Sequence, residues 1–296
     1  MLPSQIIWKP RELEIDDKYL PLVSFIIPTL NSEQVLEKCL RSIAEQDYPS
    51  IEVIIVDGGS SDNTISVATK YNAKILKCSR SLAAARQLGL YNASGEIIAN
   101  WDSDIYIPHK DWLRKAVKTL LSYSDASTLW VYNTYPPYAT LFQKAFSWYS
   151  WETMLEFAKR SIGFWGGGNS LFYREAIRQV GGFNEDLDTG EDFELAKRLF
   201  LKGYKVIFYK EYVFHDTFKS FREMVRKDIR RAKDFKRASL ASLTGVPLSE
   251  LIRVNLKIGL LTSIKNLFVK KETYFGIVPI LLLLRLITYS ICYLLR

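Results

Sequence analysis

Histidine and cysteine are scarce in this 296-residue chain, with two of the first and three of the second. Cys39, Cys78 and Cys292 are scattered. They show no metal-ligand spacing and no disulfide framework, and they fit a reducing compartment. The first twenty residues mix Lys, Arg, Glu and Asp without an apolar core, so no secretory signal peptide is expected there. GxxxxGK(S/T) and GxGxxG are both missing, which removes the P-loop and dinucleotide fingerprints. Internal repeats and low-complexity segments are missing too. What is present is 48% apolar residues, 14% aromatic residues and a net charge of +8. That length and composition suit one large domain or two modest ones. The positive excess lies mostly in the last third, beside apolar segments. This pattern points to a membrane surface rather than to nucleic acid.

Short apolar runs alternate with helical periodicity. VSFII (23–27) stops at Pro28, which cannot donate to a central ladder. Asn31 with Gln34 resembles a capping pair ahead of Val35, Leu36, Cys39, Leu40 and Ile43 at helical spacing. VIIVD ends at Asp57 and is followed by the turn chemistry of GGSSDN. AKIL (73–76), EIIANWD and TLWVYNTY read as further strands. Helices are expected from about 64, from 81 to 92 and over 110–123. Strand–helix alternation with near-continuous apolar strands argues for an α/β fold, a mostly parallel sheet covered on both faces.

Ligands of such sheets bind at the carboxyl ends of the strands. Asp57, Asp102 and Asp104 all fall at or just past those ends. Asp102 and Asp104 stand two residues apart, on one side of an extended chain. Two like charges held together call for a positive partner, and carboxylate oxygens suit Mg²⁺ or Mn²⁺. Mg²⁺ typically takes one or two protein carboxylates and fills its shell with water and phosphates, so a metal-bound diphosphate is the natural ligand. Gly166-Gly167-Gly168 lets backbone approach a ligand closely. Glu191-Asp192 opens a helical pattern, where acids also favour the helix dipole. His215 closely follows the run KVIFY. Trp101, Trp148, Trp151 and Trp165 suit sugar stacking, lipid contact or core packing equally well.

Six segments in order, VSFIIPTLNSE, VIIVDGGSSDNT, ARQLGLYNASGEIIANWDSD, GGGNSLFYREAIRQVGGFNEDL, GEDFELAKRLFLKGYKV and His215, resemble the family 2 glycosyltransferases of the GT-A fold, over about 23–216. The resemblance implies a metal-dependent, inverting transfer from a UDP- or GDP-linked nucleotide sugar, with Mg²⁺ or Mn²⁺ as cofactor. It implies that Pro28, Thr29, Asn31, Asp57 and Gly59 hold base and ribose. Asp102-Ser103-Asp104 matches the D-x-D motif. Asp104 is then a direct metal ligand, Asp102 binds ribose or joins the metal's shell, and Ser103 lies on the donor side. His215 matches a position that adds a metal ligand, and Arg86 is implied to approach the diphosphate. Asp192 is the implied catalytic base, and Gly167, Gly168, Asn169 and Glu191 are on the acceptor side. A Q-x-x-R-W motif, carried by processive members, is missing after the Glu191-Asp192 pair, which suggests one sugar per encounter.

Outside the shared core lie an N-terminal extension (1–22), a basic helical linker (219–250) and a membrane-associated tail (251–296), around a catalytic domain of 23–218. Leu256, Leu260, Ile264 and Leu267 share a face, as in an interfacial helix. Residues 276–295 form a mostly apolar run of about the length that spans a bilayer. Arg285 interrupts it at a cost of about 2.5–3.5 kcal/mol, against a return of about 0.3–0.6 for each Leu, Ile or Val. Both a transmembrane helix and an in-plane helix fit that balance. Arg285 is expected to face a protein partner or a lipid phosphate rather than bare lipid. Flanking basic residues place the catalytic domain on the cytoplasmic face of the cell membrane. The expected acceptor is then membrane-associated, a polyprenyl-phosphate-linked carrier or glycan. The alternatives are a non-catalytic membrane-bound sugar-nucleotide-binding regulator of a partner enzyme and, less favoured, a nucleic-acid binder.

Overall fold

The computed structural model describes residues 5–10, 19–159, 168–187, 190–235 and 248–294. The chain divides into two units, 1–133 with 165–214, and 134–164 with 215–296. The expected catalytic domain of 23–218 therefore runs through both.

The first unit is built on β1 (Ile6–Ile7), β2 (Val23–Thr29), β3 (Ile51–Asp57), β4 (Lys74–Lys77), β5 (Ile97–Trp101), β6 (Ile105–Tyr106), β7 (Ala126–Thr134), β8 (Asn169–Tyr173) and β9 (Lys205–His215). Among the described residues these form one sheet in the order β1-β9-β7-β8-β5-β2-β3-β4, with β6 paired to β9. Pairing along β5-β2-β3-β4 is parallel, as the continuous apolar runs predicted. Val23, Phe25, Ile26 and Ile27 are fully buried. Pro28 lies beyond the last β2–β5 pair, Ile26↔Asn100, so its missing N–H removes no bond on that flank.

Two features depart from the expectation. β8 runs antiparallel to both β5 and β7. Residues 6 and 7, placed outside the core by the sequence reading, pair parallel with Val206 and Ile207 as an edge strand.

Helices α1 (Glu33–Ala44), α2 (Thr64–Lys70), α3 (Leu82–Asn92), α4 (Trp112–Leu121), α6 (Arg174–Gln179) and α7 (Glu191–Leu201) belong to the same unit. α3 starts on a Ser81 cap that accepts the Ala84 N–H at 3.1 Å and packs Ala83, Ala84 and Ala85 inward. At Gly89 a Cβ would overlap the Ile26 side chain. Small residues thus bring α3 close to the sheet and draw Arg86, on the same helix, into the interior. The expected Asn31/Gln34 cap is not what forms. Asn31 takes a left-handed φ of 51°, Ser32 precedes α1 without a side-chain cap, and the Asn31 side chain serves the turn after β3 instead. Trp101 is fully buried and meets Phe25 and Trp112 edge-on at 5.4 and 5.8 Å, which settles it as core.

The second unit is helical. It comprises α5 (Leu141–Ala158), α8 (Phe221–Phe235), α9 (Leu248–Leu256), a π-helical turn (Lys257–Thr262), α10 (Ser263–Val269), a 3₁₀ turn (Thr273–Ile277) and α11 (Val278–Leu294). α5 opens with a full capping box between Thr140 and Gln143. Gln143 also donates to Asp216 Oδ1 at 3.0 Å and to the Thr217 carbonyl at 3.1 Å. Trp151 is buried and Trp148 packs edge-on against Phe275; Trp165 lies outside the described residues.

The transmembrane expectation is corrected here. Among the described residues no helix is long and apolar enough to cross a membrane. The run splits at Ile277/Val278, where a 3₁₀ turn gives way to the 17-residue α11. Pro279 sits in the first turn of α11, where a missing N–H removes no helical bond. α11 is amphipathic. Val278, Leu281 and Leu282 are buried whereas Ile280, Leu283 and Ile287 are exposed. Arg285 is met from within the chain rather than by another protein or a lipid phosphate: it donates to Asp228 of α8 at 2.8 and 3.3 Å, a carboxylate only 1% exposed.

Candidate active site

β2, β3 and β5 end side by side, and their exits carry the acidic residues. Thr29 lies opposite Asp57 in the ladder. Asp57 Oδ1 accepts the Thr29 hydroxyl at 3.2 Å and the Ser60 hydroxyl, and Oδ2 accepts the Gly59 and Ser60 N–H groups, each at 2.9 Å. Burial raises this carboxyl, but the bonds from Ser60, Gly59 and Thr29 outweigh it and hold Asp57 below the usual carboxylate range. Gly59 has φ +99°, which leaves room for the turn to double back on Asp57. Asn31 Oδ1 accepts the Ser61 N–H at 2.9 Å, and Ser60 Oγ accepts the Asn31 N–H at 2.9 Å. The predicted base-and-ribose residues Thr29, Asn31, Asp57 and Gly59 are thus one hydrogen-bonded seat, with Pro28 at its root.

β5 delivers Asp102 one residue past Trp101. The Asp102 N–H donates to the Gly168 carbonyl at 3.0 Å and the Ile105 N–H returns to the Asp102 carbonyl at 3.2 Å, closing a turn over Ser103 and Asp104. The Ser103 hydroxyl donates to Ser32 Oγ at 3.2 Å, which ties this turn to the seat around Asp57. Asp102 and Asp104 both push the buried Cys39 thiol up, after burial itself.

Opposite, Gly168 and Asn169 open β8, with Asn169 in register with Trp101. Asn169 is buried and donates through Nδ2 to the Val131 carbonyl and, at 2.7 Å, to Asn133 Oδ1. Gly167 lies outside the described residues. A left-handed Gly190 precedes α7, whose first turn holds Glu191, Asp192 and Glu194. Asp192 Oδ1 accepts the Phe193 N–H at 2.8 Å.

Arg86 joins the two sides. It is 3% exposed, donates through Nη2 to Asp102 Oδ1 at 2.9 Å, and donates through Nη1 to Glu191 Oε1. Glu191 is equally buried. Burial pushes its carboxyl up; Arg86 opposes that rise, and Asp192 and Asp102 reinforce it. Sequence spacing gave no sign that Arg86 would be enclosed, although the Ala-rich face of its helix is the signal that explains it. His215 ends β9 and belongs to the second unit. Among the described residues no group of three or more His, Cys, Asp or Glu side chains is placed to hold a metal ion. Asp102 and Asp104 stand in one turn of the first unit, and His215 lies in the second. A pair of carboxylates in one turn remains, a donor set of hard oxygens that fits Mg²⁺ or Mn²⁺ when substrate phosphates and water complete the shell.

Comparison with known proteins bears on what this arrangement belongs to. The model of "Glycosyl transferase family 2" matches residues 24–181, and that of "N-terminal domain of galactosyltransferase" matches 152–224. Glycosyltransferase AglE of Haloferax volcanii is 31% identical over 225 residues, covering 72% of this chain and 73% of the relative. Among solved structures, mannosyltransferase PcManGT from Pyrobaculum calidifontis, in complex with GDP-Man and Mn²⁺, superposes with a TM-score of 0.60 at 24% identity. The match covers 86% of this chain and 74% of that one. Glucosyl-3-phosphoglycerate synthase from Mycobacterium tuberculosis, in complex with Mn²⁺ and UDP-Glc, gives 0.54 at 19% identity, covering 83% and 89%. The structural likenesses establish the GT-A fold. The family match spans more than half of the chain and takes in the Asp57 seat, the Asp102–Asp104 turn and Gly168–Asn169. The chain therefore belongs to glycosyl transferase family 2 and is a nucleotide-sugar-dependent glycosyltransferase.

Proposed function

We propose that the chain transfers one sugar at a time, with inversion, from a UDP- or GDP-linked donor to a membrane-associated acceptor, a polyprenyl phosphate or a glycan carried on one. The observation that carries this reading is the Arg86 fork. One buried guanidinium holds a carboxylate from the β5 exit and another from the first turn of α7, so the acidic turn 102–104 and Asp192 belong to one site. The Asp57 seat holds the nucleoside. Asp104, with Asp102, would hold a divalent cation. When bound, the cation supplies positive charge that stabilises the departing diphosphate.

On a glycan carried by a polyprenyl phosphate, Asp192 accepts the proton of the attacking sugar hydroxyl as that oxygen bonds to the anomeric carbon. The bond from that carbon to the diphosphate oxygen breaks on the opposite side, which inverts the centre. Gly168 and Asn169 line the acceptor side.

The acceptor class rests on the second unit. Ile252, Leu256, Leu260, Ile264 and Phe268 recur every fourth residue and are all exposed, as are Leu261, Leu283 and Ile287. Arg253 and Lys257 stand among them with side chains 65% and 48% exposed. An apolar face edged with cations suits a helix lying in the plane of an anionic bilayer. The proposed location is the cytoplasmic face of the cell membrane, a reading that rests on the basic residues beside this segment.

In flotation assays the full chain is expected to rise with vesicles containing phosphatidylglycerol and to lose affinity in high salt. Leu261→Glu with Phe268→Glu is expected to weaken binding about tenfold or more, since each buried apolar side chain contributes about 1.5–3 kcal/mol. Sugar release onto a polyprenyl phosphate should exceed release onto soluble sugars. Failure to float with any vesicle, or preference for soluble acceptors, would remove the membrane part of the reading.

A further inference from the structure

We propose that Arg86 is a positioning residue rather than a ligand of the donor diphosphate: it is a strut that sets Asp102 on one side and, through Glu191, the turn carrying Asp192 on the other. The inference rests on the reading of Asp102 as a donor-side acid and Asp192 as the base.

Three observations lead to it. Arg86 is 3% exposed and Glu191 is equally buried, so a diphosphate would have to displace protein to reach the guanidinium. The two ends of the fork go to two different elements, Asp102 after β5 and Glu191 at the start of α7. A planar guanidinium holds two carboxylates in a fixed relation, which the point charge of a lysine does not. The helix that carries Arg86 is itself immobilised. It lies so close to the sheet that a Cβ at 89 would overlap the Ile26 side chain, and Gln87, the residue after Arg86, accepts the Phe183 N–H at 2.6 Å. Asp102 is held from the other flank by its N–H bond to Gly168. The strut thus fixes the relation between leaving-group side and base side, a relation that no single residue of either side sets alone.

Glu191 has no separate catalytic task in this account. It sits in the interior as the far anchor of the strut, and its neighbour Asp192 is the group that meets the acceptor. Geometry of this kind acts on the chemical step, because a displacement of about 1 Å at the reacting groups costs about 10²-fold in rate.

The test is a double-mutant cycle on the full chain with Arg86→Lys, Glu191→Gln and the pair. UDP-glucose, UDP-N-acetylglucosamine and GDP-mannose serve as donors and a sugar carried on a polyprenyl phosphate in mixed micelles as acceptor. UDP and GDP binding with Mn²⁺ and the thermal midpoint are measured in parallel. Each single variant is expected to lower kcat about 10²-fold with donor KM within about threefold of wild type. The double variant should be no worse than the worse single, as residues acting through one contact are non-additive. Multiplying losses would overturn the strut, as would a raised donor KM with kcat kept, the signature of direct donor binding. A lowered midpoint with full kcat per folded molecule would overturn it as well. If Arg86→Lys does not fold, Glu191→Gln alone decides, by whether kcat falls while KM stays. Asp192→Asn is the control: if it transfers sugar normally, the underlying reading fails, not only the strut.

Discussion

Asp192→Asn is expected to lower sugar transfer by about 10²–10⁴-fold, the range typical for removal of a general base, while nucleotide binding stays as in wild type. Asn keeps the shape and still accepts the Phe193 N–H that Asp192 Oδ1 receives, so the start of α7 is preserved. What it loses is the capacity to take a proton from the acceptor hydroxyl. The measurement is kcat for transfer beside a binding isotherm for UDP or GDP with Mn²⁺. Retention of activity within about tenfold would move the base elsewhere. Glu191 would be a poor substitute, being almost wholly buried against Arg86.

Gly168→Ala is the second large effect, and its interest is that stability and activity should part. A Cβ at 168 would overlap the Asp102 carboxylate, 2.7 Å from its Cγ. Overpacking typically costs about 1–3 kcal/mol. Here the obstructing atoms are the end of a side chain that is 38% exposed, so the carboxylate swings aside and the fold survives. In swinging it leaves Arg86 and the position facing the donor. Transfer is therefore expected to fall about 10²-fold with a thermal midpoint close to wild type. Full activity in Gly168→Ala would mean that the placement of Asp102 against Gly168 has no part in the reaction.

The parts of this molecule that were legible in its sequence are those written in local chemistry. VSFII, VIIVD and EIIANWD announce buried parallel strands because both faces are apolar, and their ends locate Asp57, Asp102 and Asp104. The turn after Asp57 is readable from Gly, Ser, Asp and Asn alone. The parts that were not legible depend on partners distant in the chain. β8 runs antiparallel although it carries no signal of direction. Residues 6 and 7 join the sheet through backbone bonds to Val206 and Ile207 that leave no trace in side-chain pattern. Arg285, which looked like a charge stranded in an apolar run, is paired to Asp228, 57 residues before it. With that pairing the run is a 3₁₀ turn and a helix packed within a helical unit. Arg86 was singled out, but its two carboxylate partners lie 16 and 105 residues away, and only the fold brings them together.

The turn at Asp102–Asp104 is proposed to bind a nucleotide through a divalent cation. The most direct measurement is the thermal midpoint of wild type and Asp104→Asn with UDP, GDP and their common sugars, with and without Mn²⁺. The midpoint is expected to rise with one nucleotide, only with Mn²⁺, and not in Asp104→Asn, with both proteins equally stable in the absence of ligand. A nucleotide shift of the same size without Mn²⁺, or one that survives in Asp104→Asn, would contradict it.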